Sequence, residues 1–323
     1  MNGADKRYDC LCAGIVVADF VCAPVEQVPP AGSLVMTDAI SLAIGGCASN
    51  VAVDLAKIGR HSAVVGRVGA DMPGRFVASE LVHAGVDAAH LIETPGMQTS
   101  STLVINVRGE DRRFIHATGA SAAFTGDEIT PELVRAAAVL YVGGFFLMPR
   151  LTADRVAALF RSARAAGVRT VLDVVIPDPE NRLDELARVL PWTDVFLPNV
   201  DEARLLTGLS DPLEQARVFR KAGAGTVVIT CGSEGALLVG SAGTLRAGRF
   251  AVEFVDGTGS GDAFAAGFIA GMLDGSSDAR CLELGSALGA SCVRQAGATT
   301  GVFTRPELEN FLTQHRLPIE TLP

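Results

Sequence analysis

The sequence contains very little lysine, which occurs only as Lys6, Lys57 and Lys221 among its 323 residues. None of these lysines ends a G-x-x-x-x-G-K pattern, so the Walker A phosphate-binding loop is absent. A G-x-G-x-x-G pattern is also absent, which argues against a dinucleotide-binding unit. The formal net charge of −9 leaves no excess of basic residues for binding nucleic acid or an anionic membrane. We therefore expect neither of these as a partner.

The seven cysteines form no C-x-x-C pair and no spacing typical of a zinc site. The chain also lacks an apolar run long enough to span a bilayer. The apolar stretch after Lys6 is interrupted by Asp9 and Asp19, which is unlike a signal peptide. These features predict a cytoplasmic protein in a reducing compartment. A composition with 49% hydrophobic and 20% charged residues is typical of a globular chain with a large core.

Beyond Pro131, short apolar runs alternate with segments of helical periodicity. Strands are predicted at 139–142, 170–175, 195–197 and 226–230, each followed by a helix. This order predicts an α/β fold with a mostly parallel central sheet that is flanked by helices. Ligands bind at the carboxyl ends of the strands in such sheets. The residues that should share this edge are Asp19, Gly143, Gly144, Asp173, Asn199, Thr230, Gly232 and the 256–262 segment.

The segment Asp256-Gly257-Thr258-Gly259-Ser260-Gly261-Asp262 joins an alternating apolar run at 250–254 to an apolar run at 263–273. The pattern predicts a strand, a glycine turn and a buried helix. The turn and the free N–H groups of the helix N-terminus would form a cradle for an anion such as a phosphoryl group. Asp262 would then either accept a proton from a substrate hydroxyl or cap the helix.

Three motifs together resemble the ribokinase-like, or PfkB, family of carbohydrate kinases. They are the turn and helix start at 45–52, the segment Pro198-Asn199-Val200-Asp201-Glu202-Ala203, and the D-x-T-G-x-G-D segment at 256–262. The resemblance covers nearly the whole chain and implies a kinase domain at 8–312. It also implies a small β-sheet lid formed by inserted segments at about 20–43 and 100–117, which covers the substrate and can join two copies as a homodimer.

The resemblance implies the ATP-dependent phosphorylation of a hydroxyl group on a small sugar or sugar-like substrate. Asp262 would be the general base, and the backbone N–H groups of Gly259, Ser260 and Gly261 would form the anion hole. Phosphoryl transfer requires mainly positioning and charge stabilisation, which such groups supply. A nucleoside kinase of the same fold is the alternative. A non-catalytic nucleotide-binding protein is less favoured because Asp262 is present.

For the nucleotide, the resemblance places Thr230, Gly232 and Gly235 near ATP, although a plain β-turn would also explain Gly235. Asn199 and Glu202 resemble an element that holds Mg²⁺ through water. The same two residues could instead cap the helix that follows them.

A monovalent-cation site is implied at Asp256 and at the carbonyl group of Thr258. The side-chain oxygen that sometimes completes this site would fall at Gly301, which has none, so K⁺ binding stays open.

Substrate hydroxyls are expected to contact Asp19, Gly46 and Asn50 by the same resemblance. Val17 and Cys47 replace an asparagine and a lysine of ribokinase, which argues against D-ribose as the substrate. Cys47 itself is interpreted as a small packing residue.

Four further residues are considered and left outside the predicted site. Arg112, Arg113 and His116 lie at the predicted hairpin, where an arginine could meet an anionic or polar substrate, but they are assigned to a solvated lid surface. Asp173 has the correct position at the sheet edge but no motif of its own.

Overall fold

The computed structural model describes residues 6–110, 112–178 and 182–323. The strands are β1 (Tyr8–Gly14), β2 (Val17–Val25), β3 (Ile40–Gly45), β4 (Ser62–Gly69), β5 (Asp87–Thr94), β6 (Ser101–Val107), β7 (Arg113–Ala117), β8 (Ala137–Phe145), β9 (Arg169–Val174), β10 (Val195–Phe196), β11 (Thr226–Thr230), β12 (Ala236–Gly240), β13 (Gly243–Ala247) and β14 (Ile319–Leu322). The helices are α1 (Cys47–Lys57), α2 (Met72–His83), α3 (Pro131–Ala136), α4 (Ala153–Ala165), α5 (Arg182–Val189), α6 (Val200–Thr207), α7 (Pro212–Lys221), α8 (Ser260–Leu273), α9 (Asp278–Cys292) and α10 (Arg305–Gln314).

The main sheet has ten strands in the order β14-β13-β12-β11-β10-β9-β8-β1-β4-β5. The seven strands from β11 to β5 in this order are paired in parallel, whereas β12, β13 and β14 add antiparallel pairs at one edge. The predicted α/β fold with a mostly parallel sheet is therefore confirmed. Parallel strands of this kind end at a common edge, where the loops that carry the candidate residues meet.

Helices cover both faces of the main sheet, as the apolar strands require. The apolar residues of α1, α2, α8, α9 and α10 pack against one face, and those of α3 to α7 pack against the other. In α8, ten consecutive residues from Ala263 to Met272 are buried. Because α8 lies between the sheet and α9, its first turn is held firmly at the edge of the sheet.

A separate sheet of four strands forms the lid, in the order β3-β2-β6-β7. The pair β6–β7 is the antiparallel hairpin that the sequence predicts, whereas β2 and β6 are parallel. In its register, Asp19 is opposite Thr102, and Thr102 is opposite His116. These three side chains therefore lie on one face of the lid, since directly opposite residues in a sheet point to the same side.

One predicted strand is wrong. Residues 250–254 are not in a strand, although their apolar residues alternate. Phe250 is buried in the core while Phe254 is 69% exposed, and the N–H groups of Val255 and Asp256 donate to the carbonyl oxygen of Val293 rather than to a sheet neighbour. The alternation thus reflects a loop anchored at one end by Phe250.

Among the described residues, the model contains no helix with the length and apolar character needed to cross a membrane.

Candidate active site

Asp262 lies in the first turn of α8, and the hydrogen bonds that its carboxylate accepts come from Asn50 and Cys47 rather than from the N–H groups of that helix. The N-cap is Gly259, with φ of 76° and no side-chain cap. The Oδ2 atom of Asp262 accepts a hydrogen bond of 2.8 Å from Nδ2 of Asn50 in α1. Burial raises the pKa of the Asp262 carboxyl group to about 6, and hydrogen bonds from Asn50 and Cys47 oppose this rise. Asp262 therefore does not cap the helix, and its pKa suits a base that acts near neutral pH.

Of the glycines before Asp262, Gly259 is required by the close packing of this turn. A Cβ atom at Gly259 would lie 2.3 Å from the carbonyl oxygen of Ala298, and the positive φ of Gly259 also disfavours any other residue. A Cβ at Gly261 would meet no atom within 4 Å, so this position faces open space. The N–H of Ser260 donates to the carbonyl oxygen of Gly257. The N–H groups of Gly261 and Asp262 have no acceptor within the helix, as is usual in a first turn, whereas the N–H of Ala263 donates to the carbonyl oxygen of Gly259.

The turn before α1 brings a second carboxylate to the same place. Gly46 is the N-cap of α1 with φ of 90°, and a Cβ at Gly45 would lie 2.1 Å from Oδ2 of Asp19. Burial raises the pKa of Asp19 to about 6, a hydrogen bond from Thr102 opposes the rise, and the charge of Asp262 adds to it. The structure thus brings together the three residues that were predicted to contact substrate hydroxyls.

The amide group of Asn50 is hydrogen-bonded to Asp262 through its nitrogen atom. Its Oδ1 atom is buried and has no hydrogen-bond partner among the described residues. A buried amide oxygen without a partner is costly, so it is suited to accept a hydrogen bond from a bound molecule.

Cys47 and Asp173 lie beside Asp262. The Sγ atom of Cys47 and one carboxylate oxygen from each aspartate are all within 4.8 Å of one another. Burial and the charge of Asp262 raise the pKa of Asp173 to about 7, while the hydroxyl group of Tyr141 donates to Asp173 Oδ2 over 3.2 Å. The cluster could hold a metal ion through its thiol and carboxylates, or hold protons between them. Cys47 packs against both apolar clusters, as predicted, and its Sγ atom also lies beside the predicted base.

Asn199 and Glu202 form a capping box at the start of α6. Asn199 Oδ1 accepts from the N–H of Asp201 and of Glu202, and Glu202 Oε2 accepts from the N–H of Asn199 over 2.9 Å. Burial raises the pKa of Glu202 well above its usual range, and the charge of Asp173 raises it further. The capping interpretation is therefore correct for this structure, and the Glu202 carboxylate also faces the acidic cluster.

The residues predicted to lie near the nucleotide follow β11. Thr230 forms a parallel bridge with Asn199, which places the two loops side by side. A Cβ at Gly235 would lie 2.1 Å from the carbonyl oxygen of Ala247, whereas a Cβ at Gly232 would meet nothing within 4 Å. Gly235 is thus explained by packing against β13, and Gly232 faces open space.

The loop at Asp256 is tied to the loop before α10. Asp256 Oδ1 accepts from the N–H and hydroxyl of Thr258, and Asp256 Oδ2 accepts from the N–H of Gly297 over 3.0 Å. The carbonyl oxygens of Thr258 and Ala298 lie 3.1 and 3.2 Å from Sγ of Cys292. Both carboxylate oxygens of Asp256 and the Thr258 carbonyl therefore already have hydrogen-bond partners.

Arg112 was assigned to a solvated lid surface, and the structure corrects this. Its Nη1 atom lies 3.9 Å from Asp256 Oδ1 and would be 2.8 Å from a Cβ at Gly257. Its side chain is 23% exposed. The lid thus supplies one positive charge to the turn before α8. No local pattern could reveal this, because Arg112 precedes β7 and approaches the turn only through the tertiary fold.

Comparisons with known proteins identify the family of the chain. Residues 8–305 match the model of the pfkB family of carbohydrate kinases. The 2-dehydro-3-deoxygluconokinase of Bacillus subtilis is 30% identical over 297 residues, covering 88% of this chain and 91% of that protein.

Two solved structures show the same fold. The ribokinase of Arabidopsis thaliana, complexed with ribose and ATP, superposes with a TM-score of 0.80 at 24% identity over 94% of this chain and 98% of that chain. A structure named as a ribokinase II of E. coli, in complex with ATP and Mg²⁺, gives a TM-score of 0.81 at 23% identity over 95% and 100% of the two chains. The chain therefore belongs to the pfkB family of carbohydrate kinases, and it is a phosphotransferase.

Proposed function

We propose that this kinase uses Asp262 as the general base that removes the proton from the substrate hydroxyl as the γ-phosphoryl group of ATP is transferred. The observation that supports this assignment is the orientation of the Asp262 carboxylate, which lies at the N-terminus of α8 without capping it. A base there lies next to the N–H groups that would stabilise the phosphoryl charge. Gly259, Ser260 and Gly261 supply these groups; the Ser260 N–H would exchange its present acceptor, Gly257, for the phosphoryl oxygen.

The substrate lies, in this proposal, between the lid and α1. Asp19 and Asn50 accept hydrogen bonds from its hydroxyl groups, and the N-terminus of α1 at Gly46 approaches it through the backbone. This arrangement is supported by the buried Oδ1 of Asn50, which has no partner among the described residues. It places the substrate within reach of Asp262, to which Asn50 is bonded.

The nucleotide would occupy the adjacent loops at the ends of β10 and β11. Thr230 and Gly232 are the candidates for contact with ATP, and Gly235 shapes their turn. Glu202 would hold Mg²⁺ through water, as Mg²⁺ commonly retains several of its waters. The Mg²⁺ ion would allow the ATP phosphates to lie close to the carboxylates of Asp173 and Asp262. That the two structural neighbours are named as ATP complexes, one with Mg²⁺, supports the choice of ligands.

A monovalent cation such as K⁺ could be held by Asp256 and the carbonyl oxygen of Thr258, but it would have to displace existing interactions. Arg112 already lies beside Asp256, and Thr258 O already accepts from Cys292. We infer that the activity of this protein depends less on K⁺ than the activity of a kinase whose cation site has unpartnered oxygen atoms.

The seven cysteines are all free thiols, which supports a cytoplasmic location in a reducing compartment.

The substitution Asp262→Asn tests the base. The variant should bind ATP with a dissociation constant close to that of the wild type, because the amide keeps the shape of the side chain. Its kcat should fall by about 10²–10⁴-fold, the range that general-base catalysis contributes. ADP release and calorimetric titration with ATP measure the two quantities. A variant with near-normal kcat would show that another group takes the proton.

A further inference from the structure

Three side chains from separate elements place one ligand atom each around a common point. Cys47 begins α1, Asp173 lies in β9, and Asp262 lies in the first turn of α8. The Sγ atom of Cys47 and one carboxylate oxygen of each aspartate all lie within 4.8 Å of one another. Each of the three residues of this thiol–carboxylate cluster is partly exposed, so an ion can enter from solvent.

Both carboxylates of the cluster are held by hydrogen bonds from neighbouring side chains. The hydroxyl group of Tyr141, which is fully buried, donates to Oδ2 of Asp173 over 3.2 Å. The Nδ2 atom of Asn50 donates to Oδ2 of Asp262 over 2.8 Å. Hydrogen bonds of this kind orient the carboxylates that bind metal ions in proteins.

A glycine at the end of β8 makes room for the thiol. A Cβ atom at Gly143 would lie 2.8 Å from Cβ of Cys47 and 2.7 Å from the hydroxyl oxygen of Tyr141. A larger residue at this position would therefore displace a member of the cluster or the side chain that supports it. Gly143, which the sequence places at the edge of the sheet, allows Cys47 and Tyr141 to approach Asp173 together.

Asn50 adds a further oxygen atom beside the cluster. Asn50 is 4% exposed, and its Oδ1 atom has no hydrogen-bond partner among the described residues. Because Nδ2 and Oδ1 are bonded to one carbon atom and Nδ2 contacts Asp262, Oδ1 lies close to the same carboxylate. A buried amide oxygen without a partner is unusual, and a bound cation would satisfy it as a substrate hydroxyl would.

The ligand atoms select the kind of ion. A thiolate favours Zn²⁺ and similar ions over Mg²⁺, which prefers oxygen ligands and water. Zn²⁺ is usually tetrahedral, with bonds of about 2.3 Å to sulfur and about 2.0–2.2 Å to oxygen, so its ligand atoms lie about 3.5 Å apart. Each pair of ligand atoms in the cluster would have to close by at most about 1.3 Å, which small side-chain rotations allow. Three protein ligands leave a fourth position for Asn50 Oδ1 or for water.

We propose that Cys47, Asp173 and Asp262 bind a thiophilic divalent cation of the Zn²⁺ class, and that this ion inhibits the kinase. Binding converts the thiol of Cys47 to a thiolate and releases its proton to solvent. An Asp262 carboxylate that is bonded to the ion cannot accept a proton from a substrate hydroxyl. The metal site does not depend on the proposed function, whereas the inhibition rests on the assignment of Asp262 as the base.

Titration with Co²⁺ in the absence of ATP and sugar tests the metal site. Co²⁺ substitutes for Zn²⁺ in such sites, and a thiolate ligand gives it a charge-transfer absorption band that Zn²⁺ should remove by competition. The band should be absent from Cys47→Ser and present in Cys22→Ser, whose partly exposed thiol lies in the lid strand β2. A band that persists in Cys47→Ser, or a wild type without the band, would overturn the proposal.

Tyr141→Phe tests whether Asp173 is a ligand. The variant keeps the shape of the ring but loses the hydrogen bond to Asp173, so its affinity for Co²⁺ and Zn²⁺ should fall by about 10–100-fold. Circular dichroism checks the fold of each variant, and if Cys47→Ser does not fold, the wild-type band and Tyr141→Phe decide the question. An unchanged affinity in Tyr141→Phe would contradict the three-residue site.

Inhibition is measured as ADP release at buffered concentrations of free Zn²⁺, with Mg²⁺ and ATP in constant excess and sugar well below its KM. Each rate is divided by the rate of the same variant without Zn²⁺, so differences in basal activity do not enter the comparison. The Zn²⁺ concentration that halves this ratio should match the dissociation constant in the wild type and rise by at least about tenfold in Tyr141→Phe. Zn²⁺ that binds through Cys47 without lowering the rate would overturn the inhibitory role.

The two experiments separate this inference from the kinase proposal. If no sugar gives ADP release, the proposed function fails, while the Co²⁺ titration still decides whether the metal site exists. If ADP is released but the wild type gives no charge-transfer band, the metal site fails and the proposed function stands.

Discussion

Asp262 illustrates how burial gives a common residue a specific role. A carboxyl group in water is ionised well below neutral pH, but burial raises the pKa of Asp262 to about 6 while Asn50 and Cys47 hold it down. The group therefore remains ionised at pH 7, yet it binds a proton more readily than an exposed aspartate does. This balance depends on Asn50, because the hydrogen bond from its amide favours the ionised form of Asp262.

The pH dependence of the reaction should report this pKa. A base must be unprotonated, so kcat/KM for the sugar should fall by about one decade per pH unit below an apparent pKa near 6. Asn50→Leu removes a hydrogen bond that favours the carboxylate, so the acidic limb should move to higher pH in that variant. Initial rates measured between pH 5 and 8 in buffers of constant ionic strength give both profiles. If the acidic limb of the pH profile has the same apparent pKa in Asn50→Leu as in the wild type, the assignment of Asp262 as the base would be contradicted.

Arg112 should contribute charge stabilisation from the lid. Its guanidinium group lies beside Asp256 and Gly257, in the turn that leads to the anion hole. Arg112→Gln should lower kcat by about 10²–10³-fold, as loss of one anion-stabilising donor does, with a smaller change in ATP affinity. The kcat of Arg112→Lys should lie between that of the wild type and that of Arg112→Gln. Lysine keeps the positive charge but lacks the forked N–H donors of the guanidinium group.

The neighbouring Arg113 provides a matched control for Arg112. It pairs with Glu110, and its side chain is 49% exposed. Arg113→Gln should therefore leave kcat within a few-fold of the wild type, as is usual for an exposed pair. Steady-state kinetics with saturating sugar measure both variants. Similar losses in the two would indicate a general effect on the lid rather than a role for Arg112.

The helix α1 connects the proposed substrate site and Asp262 with the loop before α10. Gly46 and Asn50 face the site, and the ammonium group of Lys57 at the other end donates to the carbonyl oxygens of Thr299 and Val302. Between them, Asp54 is fully buried, and neither of its carboxylate oxygens has a hydrogen-bond partner among the described residues. Such a residue is costly for stability, so its effect should be measurable.

Burial raises the pKa of Asp54 well above its usual value, and the charge of Asp262 adds to this while Lys57 opposes it. The folded state then binds more protons than the unfolded state above a pH of about 4, so Asp54 lowers stability progressively as pH rises toward its folded pKa. Asp54→Asn removes this titration. The stability of the variant relative to the wild type should increase between pH 5 and 8, by at most about 1.4 kcal/mol per pH unit.

Urea denaturation at pH 5 and 8 gives this difference. The exposed Glu253→Gln variant serves as the control and should show no comparable change with pH. A difference between Asp54→Asn and the wild type that is the same at both pH values would show that the Asp54 carboxyl group finds a partner in solution.

The elements that the sequence reveals are those with a strong local pattern. The strands β8, β9 and β11 and the helix α4 follow from apolar runs and caps. Three motifs, two of which contain glycine turns, reveal the family. The error at 250–254 arises because alternation alone cannot distinguish a strand from a loop with one buried end. The roles of Arg112, Cys47 and Asp173 depend on contacts between distant segments, which a local pattern does not contain.

At the scale of the whole molecule, the lid has two unlike faces. Its inner face carries the polar row from Asp19 to His116. Its outer face carries apolar residues, among which Ile40, Leu103 and Ile115 are 66%, 39% and 63% exposed. Exposed apolar residues gathered on one face of a sheet commonly mark an interaction surface. A second copy of the chain is the simplest partner, because a two-fold axis would place the same face of each lid against the other.

We therefore predict that the protein forms a homodimer through the outer face of the lid, and that Ile115→Glu converts it to a monomer. In a symmetric contact, the substitution places a carboxylate from each copy in the same apolar interface, where burying unpaired charge is strongly unfavourable. Sedimentation velocity at micromolar concentration measures the mass of each species. Leu209→Glu is the control, since Leu209 is 38% exposed but follows α6. A monomeric wild type, or an Ile115→Glu variant that remains dimeric, would exclude the lid as the contact. Because the substrate is proposed to lie under the inner face of the same sheet, loss of the dimer should also raise the KM of the sugar more than that of ATP.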